Sequence, residues 1–152
     1  MHLDSSRWQA IEACRPILHL NEAEACWLSG SQSVEMAAKA LRGRFGSAVI
    51  ITRGEQGAVC CSANGNYQEL PGVKSEVVDT IGAGDCHAGT VLAGLKQGWP
   101  LGAAVDLANT MAARVVARPS ARLDENEFHA VLAAWWKKIG KDLPGNGKCG
   151  IL

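Results

Sequence analysis

The sequence has no surplus of either charge: fifteen lysines and arginines balance fifteen aspartates and glutamates over 152 residues. Binding to nucleic acid or to an anionic membrane needs a basic footprint. Neither partner is expected, and any anion site must be local. No apolar run reaches spanning length, and the first residues do not read as a signal peptide. The six cysteines contain no CxxC: Cys14, Cys26, Cys86 and Cys149 are scattered, and Cys60 and Cys61 are adjacent. That spacing argues against a disulfide framework or a zinc site and for ordinary thiols in a reducing cytoplasm. The end, Cys149-Gly150-Ile151-Leu152, is a poor prenylation box, with Gly at the first aliphatic position and no polybasic run. Two phosphate-binding motifs are missing as well. There is no GxxxxGK[ST], and GxGxxG fails because His87 stands where the third Gly belongs, which disfavours a dinucleotide-binding oxidoreductase. No repeat or low-complexity block is visible.

What is present suits one globular domain with a real core, since 47% of the residues are hydrophobic. Trp8–Cys14 reads as the end of a helix closed by Arg15-Pro16, and Ile17–Leu20 as a short strand. A short helix starts at Asn21-Glu22-Ala23-Glu24 and stops at Ser29-Gly30. Ser33 can cap the next helix, whose face carries Val34, Ala37, Ala38 and Leu41, with Gly43 and Gly46 ending it. Ala48–Thr52 is a continuous apolar run of the kind found in strands buried on both faces. A turn cluster, Arg53–Gly57, follows. Ala58–Ser62 and Tyr67–Leu70 flank Asn64-Gly65, a hairpin signal. Glu76–Asp79 is a further short strand.

The rest reads as helical. Ala88, Val91, Leu92 and Leu95 share one face, and Gly98 and Pro100 break that helix. Val105, Ala108, Ala112 and Val115 line the next, broken by Arg118-Pro119. Asp124 caps a last helix, with Glu127 placed for a capping box and Phe128, Val131, Leu132 and Trp135 as its buried stripe. Trp135 and Trp136 read as core and rim. The segment 140–152, rich in glycine and containing Pro144, reads as a flexible tail. The order of elements is an α/β pattern.

The stretch 77–95, VVDTIGAGDCHAGTVLAGL, places two glycines and a carboxylate at a helix mouth. A helix start offers unpaired N–H groups and the positive end of the dipole. Gly82 and Gly84 lack a Cβ, so the chain can turn sharply and an anion can approach closely. The N–H groups of Gly82, Ala83, Gly84 and Asp85 are thus a candidate anion hole. Asp85 beside an anion makes sense if it does chemistry there, taking a proton from a hydroxyl that attacks phosphorus. The plainer alternative is a Gly-x-Gly turn with Asp85 as an ordinary first-turn acid. His87 lies two residues beyond Asp85, a spacing that puts the two on different helix faces, so it reads as structural.

Asp79-Thr80-Ile81-Gly82-Ala83-Gly84-Asp85 resembles the DTxGAGD signature of the ribokinase-like (PfkB) carbohydrate and nucleoside kinases. Three further elements follow in the family's order. Asn21–Glu24 resembles its NxxE element, Ile51–Ala58 its T-x-G-x-x-G nucleotide strand and turn, and Ala108–Ala113 its late helix beside the adenine. The resemblance runs from about Ile17 to Trp136. It implies a ribokinase-like three-layer α/β/α fold over residues 1–139 and transfer of a phosphoryl group from ATP to a hydroxyl of a sugar or nucleoside. Asp85 would be the catalytic base, with Gly82, Ala83 and Gly84 as the anion hole. Asn21 and Glu24 would organise Mg²⁺ through its waters. Thr52, Gly54 and Gly57 would border the nucleotide, and Asn109 would sit near the adenine. Asp79, Ile81, Val115 and Arg118 stand where ligands of a monovalent cation such as K⁺ usually come from, although Pro119-Ser120 follows where the family often has Gly. Each assignment has a bland counterpart: Asn21 as a plain N-cap, Glu24 as a solvated acid, Thr52 and Gly54 as strand-end residues.

Members of that family are considerably longer. The resemblance therefore implies a truncated fold that lacks the N-terminal half and the β lid, where most sugar contacts lie. Three readings follow from it: a kinase that needs its other half, a nucleotide-binding fragment without catalysis, or a remnant. The fragment alone is expected to turn over weakly or not at all. A truncated sheet is also expected to expose an apolar face, as a surface for the missing half or for a second copy.

Overall fold

The computed structural model describes residues 5–120 and 123–139. The chain divides into two compact units, Met1–Gly54 with Ala58–Glu69, and Glu55–Gly57 with Leu70–Leu152. The tail expected at 140–152 and Cys149 lie outside the described residues.

The first unit is built on a four-stranded sheet in the order β1-β2-β3-β4: β1 (Leu18–Asn21), β2 (Val49–Thr52), β3 (Ala58–Cys61) and β4 (Tyr67–Leu70). β1 runs parallel to β2, with Leu18 opposite Val49 and Asn21 opposite Thr52, and β2 is antiparallel to β3. Val49, Ile50 and Ile51 are buried. Side chains alternate across a strand, so both faces of β2 are covered, as its unbroken apolar run demands. One face packs on Ala25 of α2 (Glu22–Ser29) and on Ala37, Ala38, Leu41 and Phe45 of α3 (Val34–Phe45). α1 (Ser5–Ala13) adds Trp8, edge-on to Phe45. Each large side chain buried this way contributes up to about 1.5–3 kcal/mol.

The local signals act as expected. The Ser33 hydroxyl caps α3 through the Met36 N–H, while α3 runs through Gly43 and ends only at Gly46. A left-handed conformation at Gly46 turns its N–H onto the Arg42 carbonyl, so only the second of the two glycines is the stop. The β3–β4 turn closes through Gly65 N–H to the Ser62 carbonyl and Ser62 N–H to that of Asn66. The described cysteines are free thiols, and burial, helped by Cys61, pushes the Cys60 thiol up to about 11.

The second unit is helical: α4 (Ala83–Lys96), α5 (Leu101–Val116) and α6 (Glu125–Ile139). α6 has the expected capping box, with Glu127 N–H donating to Asp124 Oδ1 and Asp124 N–H to Glu127 Oε2. Trp135 lies in a buried cluster with Trp99, Leu107, Met111 and Leu132, and its indole N–H reaches Asp106. Leu92 departs from expectation. It is 60% exposed, and the buried residues of α4 are His87, Thr90, Val91 and Gly94.

Residues 76–79 are not a strand. The N–H groups of Val78 and Asp79 both donate to the Val116 carbonyl, and the Ser75 hydroxyl donates to that of Ala113. The segment is an extended strap tied to the C-terminal part of α5, and Val77 and Val78 stay exposed. No described helix is long and apolar enough to cross a membrane.

Candidate active site

In the first unit, Asn21 and Thr52 are register partners at the C-terminal ends of the parallel strands β1 and β2. That edge is where open α/β sheets bind ligands. Asn21 is also the N-cap of α2. Its Oδ1 accepts from the Glu24 N–H at 2.9 Å, and its own N–H donates to Glu24 Oε2 at 2.9 Å. Sequence spacing brought Asn21 and Glu24 together, and the structure shows why: they form a reciprocal capping box. The Thr52 hydroxyl makes a long bond to the Leu20 carbonyl, 3.4 Å. Gly54 follows with a positive φ of 59° and open space on its Cβ side. Between them stands Arg53, which reasoning from sequence passed over. Its Nη2 pairs with Glu69 at 3.1 Å, while its Nε is buried without a hydrogen-bond partner among the described residues. The signal was there, since Arg53 is the one charged residue between Thr52 and Gly54.

In the second unit, the strap reaches Asp79, whose carboxylate accepts from the Ile81 N–H at 3.0 Å and bends the chain. Gly82 then takes a φ of 79° and becomes the N-cap of α4. Only a residue without a Cβ enters that region freely. It supplies no side-chain cap. The Ala83 N–H turns back to the Thr80 carbonyl at 3.3 Å, and the Cys86 N–H makes the first helical bond to Gly82. The N–H groups of Gly84 and Asp85 have no acceptor among the described residues. Nothing lies within 4 Å of the Cβ side of Gly84. Asp85 is exposed in the first turn and makes no hydrogen bond or ion pair among the described residues. The arrangement is an open helix start, positive by its dipole, with a carboxylate beside it.

The remaining residues of interest are engaged. Gly57 is buried at a φ of 89°. Asn109 is buried, and its amide bonds the Leu70 and Pro71 carbonyls and His87. His87 is 3% exposed, in keeping with a structural role. The Val115 carbonyl accepts the Arg118 N–H, and the Arg118 guanidinium forms a two-pronged ion pair with Glu127.

Comparison with known proteins gives this arrangement a context. The chain is 41% identical over 110 residues to "Uncharacterized sugar kinase YegV" of Escherichia coli K12, covering 70% of this chain and 34% of that one. It is 40% identical over 88 residues to a cytidine kinase of Thermococcus kodakarensis, covering 56% and 31%. Its fold matches a Burkholderia thailandensis nucleoside kinase solved with inosine, with a TM-score of 0.72 and 28% identity over 95% of this chain and 46% of that one. The chain thus spans about a third of the length of these two curated relatives. The fold is ribokinase-like α/β. The model of the pfkB family carbohydrate kinases matches residues 4–127, a span that holds both the capped edge at Asn21 and the open helix start at Gly82, and the chain belongs to that family.

Proposed function

We propose that this chain carries the phosphate-handling part of an ATP-dependent kinase that phosphorylates a hydroxyl of a sugar or nucleoside. The observation that carries this reading is the open start of α4. Unpaired N–H groups at Gly84 and Asp85 fit the negative oxygens of a phosphoryl group in transfer, and they need no reorganisation to stabilise it. Asp85 accepts the proton of the attacking hydroxyl, an O–P bond forms to the γ-phosphorus, the bridging P–O bond breaks and ADP leaves. Thr52, Gly54 and Gly57 border the nucleotide, and Arg53 Nε is a free donor beside Thr52 and Gly54.

Glu24 keeps one carboxylate oxygen outside the capping box and is exposed, which suits contact with Mg²⁺ through water. The ion would supply charge neutralisation at the phosphates. Asp79, Ile81, Val115 and Arg118 would hold a monovalent ion through backbone carbonyls and the Asp79 carboxylate, as the family resemblance implies, and no step is assigned to that ion. Use of ATP and the free thiols favour the cytoplasm.

A second reading, a nucleotide-binding module without turnover, is favoured by one fact: the chain spans about a third or less of its curated relatives. Positioning supplies much of the rate in phosphoryl transfer. One experiment addresses both readings. Thermal unfolding of the chain is measured with Mg-ATP and with NAD, alongside ADP release with candidate sugars and nucleosides. Stabilisation by Mg-ATP alone supports the nucleotide site, and ADP release that depends on an acceptor would rule out the module without turnover. No shift with Mg-ATP would overturn both.

A further inference from the structure

His87 and Asn109 are two of the buried polar side chains among the described residues, and phosphoryl transfer uses neither directly. His87 is 3% and Asn109 6% exposed, so their polar atoms must find partners inside the protein. Asn109 Nδ2 lies 3.1 Å from the Leu70 carbonyl oxygen and 3.2 Å from that of Pro71. Carbonyl oxygens only accept, so the NH₂ end of the amide must face them, and the amide cannot be flipped. Its oxygen then faces His87 Nε2 at 3.1 Å. An amide oxygen also only accepts, so Nε2 must carry a proton. The two backbone carbonyls thereby dictate the tautomer of a histidine on another helix.

The segment held by Asn109 has no slack. A Cβ on Gly72 would lie 2.1 Å from the Glu55 carbonyl oxygen, and one on Gly57 would lie 2.3 Å from that of Leu70. Leu70–Gly72 therefore presses backbone to backbone on Glu55–Gly57. A continuous line of contact runs from His87, two residues beyond Asp85 on α4, through Asn109 on α5, to Leu70–Gly72 and the turn at Gly57.

We propose that His87 and Asn109 are positioning residues, a hydrogen-bonded latch that sets the turn at Gly57 against the start of α4. Asn109 then acts through the backbone it holds, and not by touching adenine as the family resemblance implies. The consequence for ligand binding rests on the nucleotide reading above. The latch itself does not.

Nitrogen-15 NMR of the histidine side chains in the unliganded chain, at about pH 8 where an ordinary imidazole is neutral, tests the latch without any ligand. The expected result is a proton on Nε2 of His87, and a bare Nε2 would overturn the proposal. Variants test the coupling. Asn109→Asp keeps the shape and an acceptor for His87 but removes the NH₂ that holds Leu70 and Pro71. His87→Leu removes the donor, and His87→Gln offers one again. Backbone amide signals of Gly57 and Gly72 should move in the first two and return in the third. Mg-ATP affinity should fall about tenfold and then recover, the size of one net hydrogen bond. Unmoved Gly57 and Gly72 signals in folded variants would overturn the coupling. If a variant fails to fold, the wild-type tautomer still decides. Failure of the wild-type chain to bind Mg-ATP would sink the nucleotide reading and leave the NMR result to judge the latch.

Discussion

Helices α2 and α4 begin alike in sequence and end as opposites. Each follows an extended segment and carries an acid three residues beyond its N-cap, Glu24 after Asn21 and Asp85 after Gly82. In α2 the N-cap has a side chain, so acid and cap satisfy each other's N–H groups and the start is closed. In α4 the N-cap is glycine, which offers no oxygen to the helix. The same acid has nothing to pair with, and both the carboxylate and the N–H groups stay available. α6, with Asp124 and Glu127, repeats the closed form. One side chain at the N-cap thus separates a closed helix start from an open one.

Replacing Asp85 should open the widest gap between the two. In a preparation that turns over, Asp85→Ala should cost about 10²–10⁴ in rate, the range for a general base, with Mg-ATP affinity within about twofold. ADP release measures the first and titration the second, and turnover surviving within tenfold would place the base elsewhere. Gly82→Ala comes next. A Cβ at a φ of 79° costs roughly 1–2 kcal/mol and crowds the N–H groups. Both the thermal midpoint and its rise with Mg-ATP should drop, and an unchanged rise would mean that phosphate does not sit there.

At the closed start, Asn21→Ala should lose about 1 kcal/mol, readable by denaturant unfolding, and Asn21→Ser should restore it. If Ser restores stability but not the response to Mg-ATP, Asn21 does more than cap. The smallest effect is on acid stability. The Glu127 backbone N–H, donating to the Asp124 carboxylate, holds Asp124 below the usual aspartate value. A depressed folded value means the contribution is full above the ordinary aspartate range and is lost as pH falls through the folded value. Asp124→Asn keeps a capping oxygen without the charge, so unfolding scans from about pH 5 downward should show a shallower acid slope. An unchanged slope would remove Asp124 from the acid response.

Much of this was legible in the chain itself because the signals are local. Ser33, Asn21 and Asp124 cap what they precede, Asn64-Gly65 turns a hairpin, and the DTIGAGD stretch announces an open helix start. The failures share a cause. Glu76–Asp79 has strand-like residues, but a strand needs a partner, and here the donors go to the carbonyl of Val116. Leu92 satisfies the helical period yet faces outward, because the period says which residues share a face and not whether that face is covered. Gly43 looked like a stop and was carried through, since one glycine costs a helix only about 1 kcal/mol.

Alone, the sequence determined the family, the order of the helices and the contrast between a capped and an uncapped helix start, because each depends on residues a few positions apart. Only the tertiary structure decided that His87 meets Asn109 across 22 positions and that Asn109 grips Leu70 and Pro71 from 39 and 38 positions away. It also decided that Gly57 and Gly72 leave no room for a side chain. Such pairings form when helices pack, and no periodicity along the chain encodes which distant carbonyl a buried amide will find.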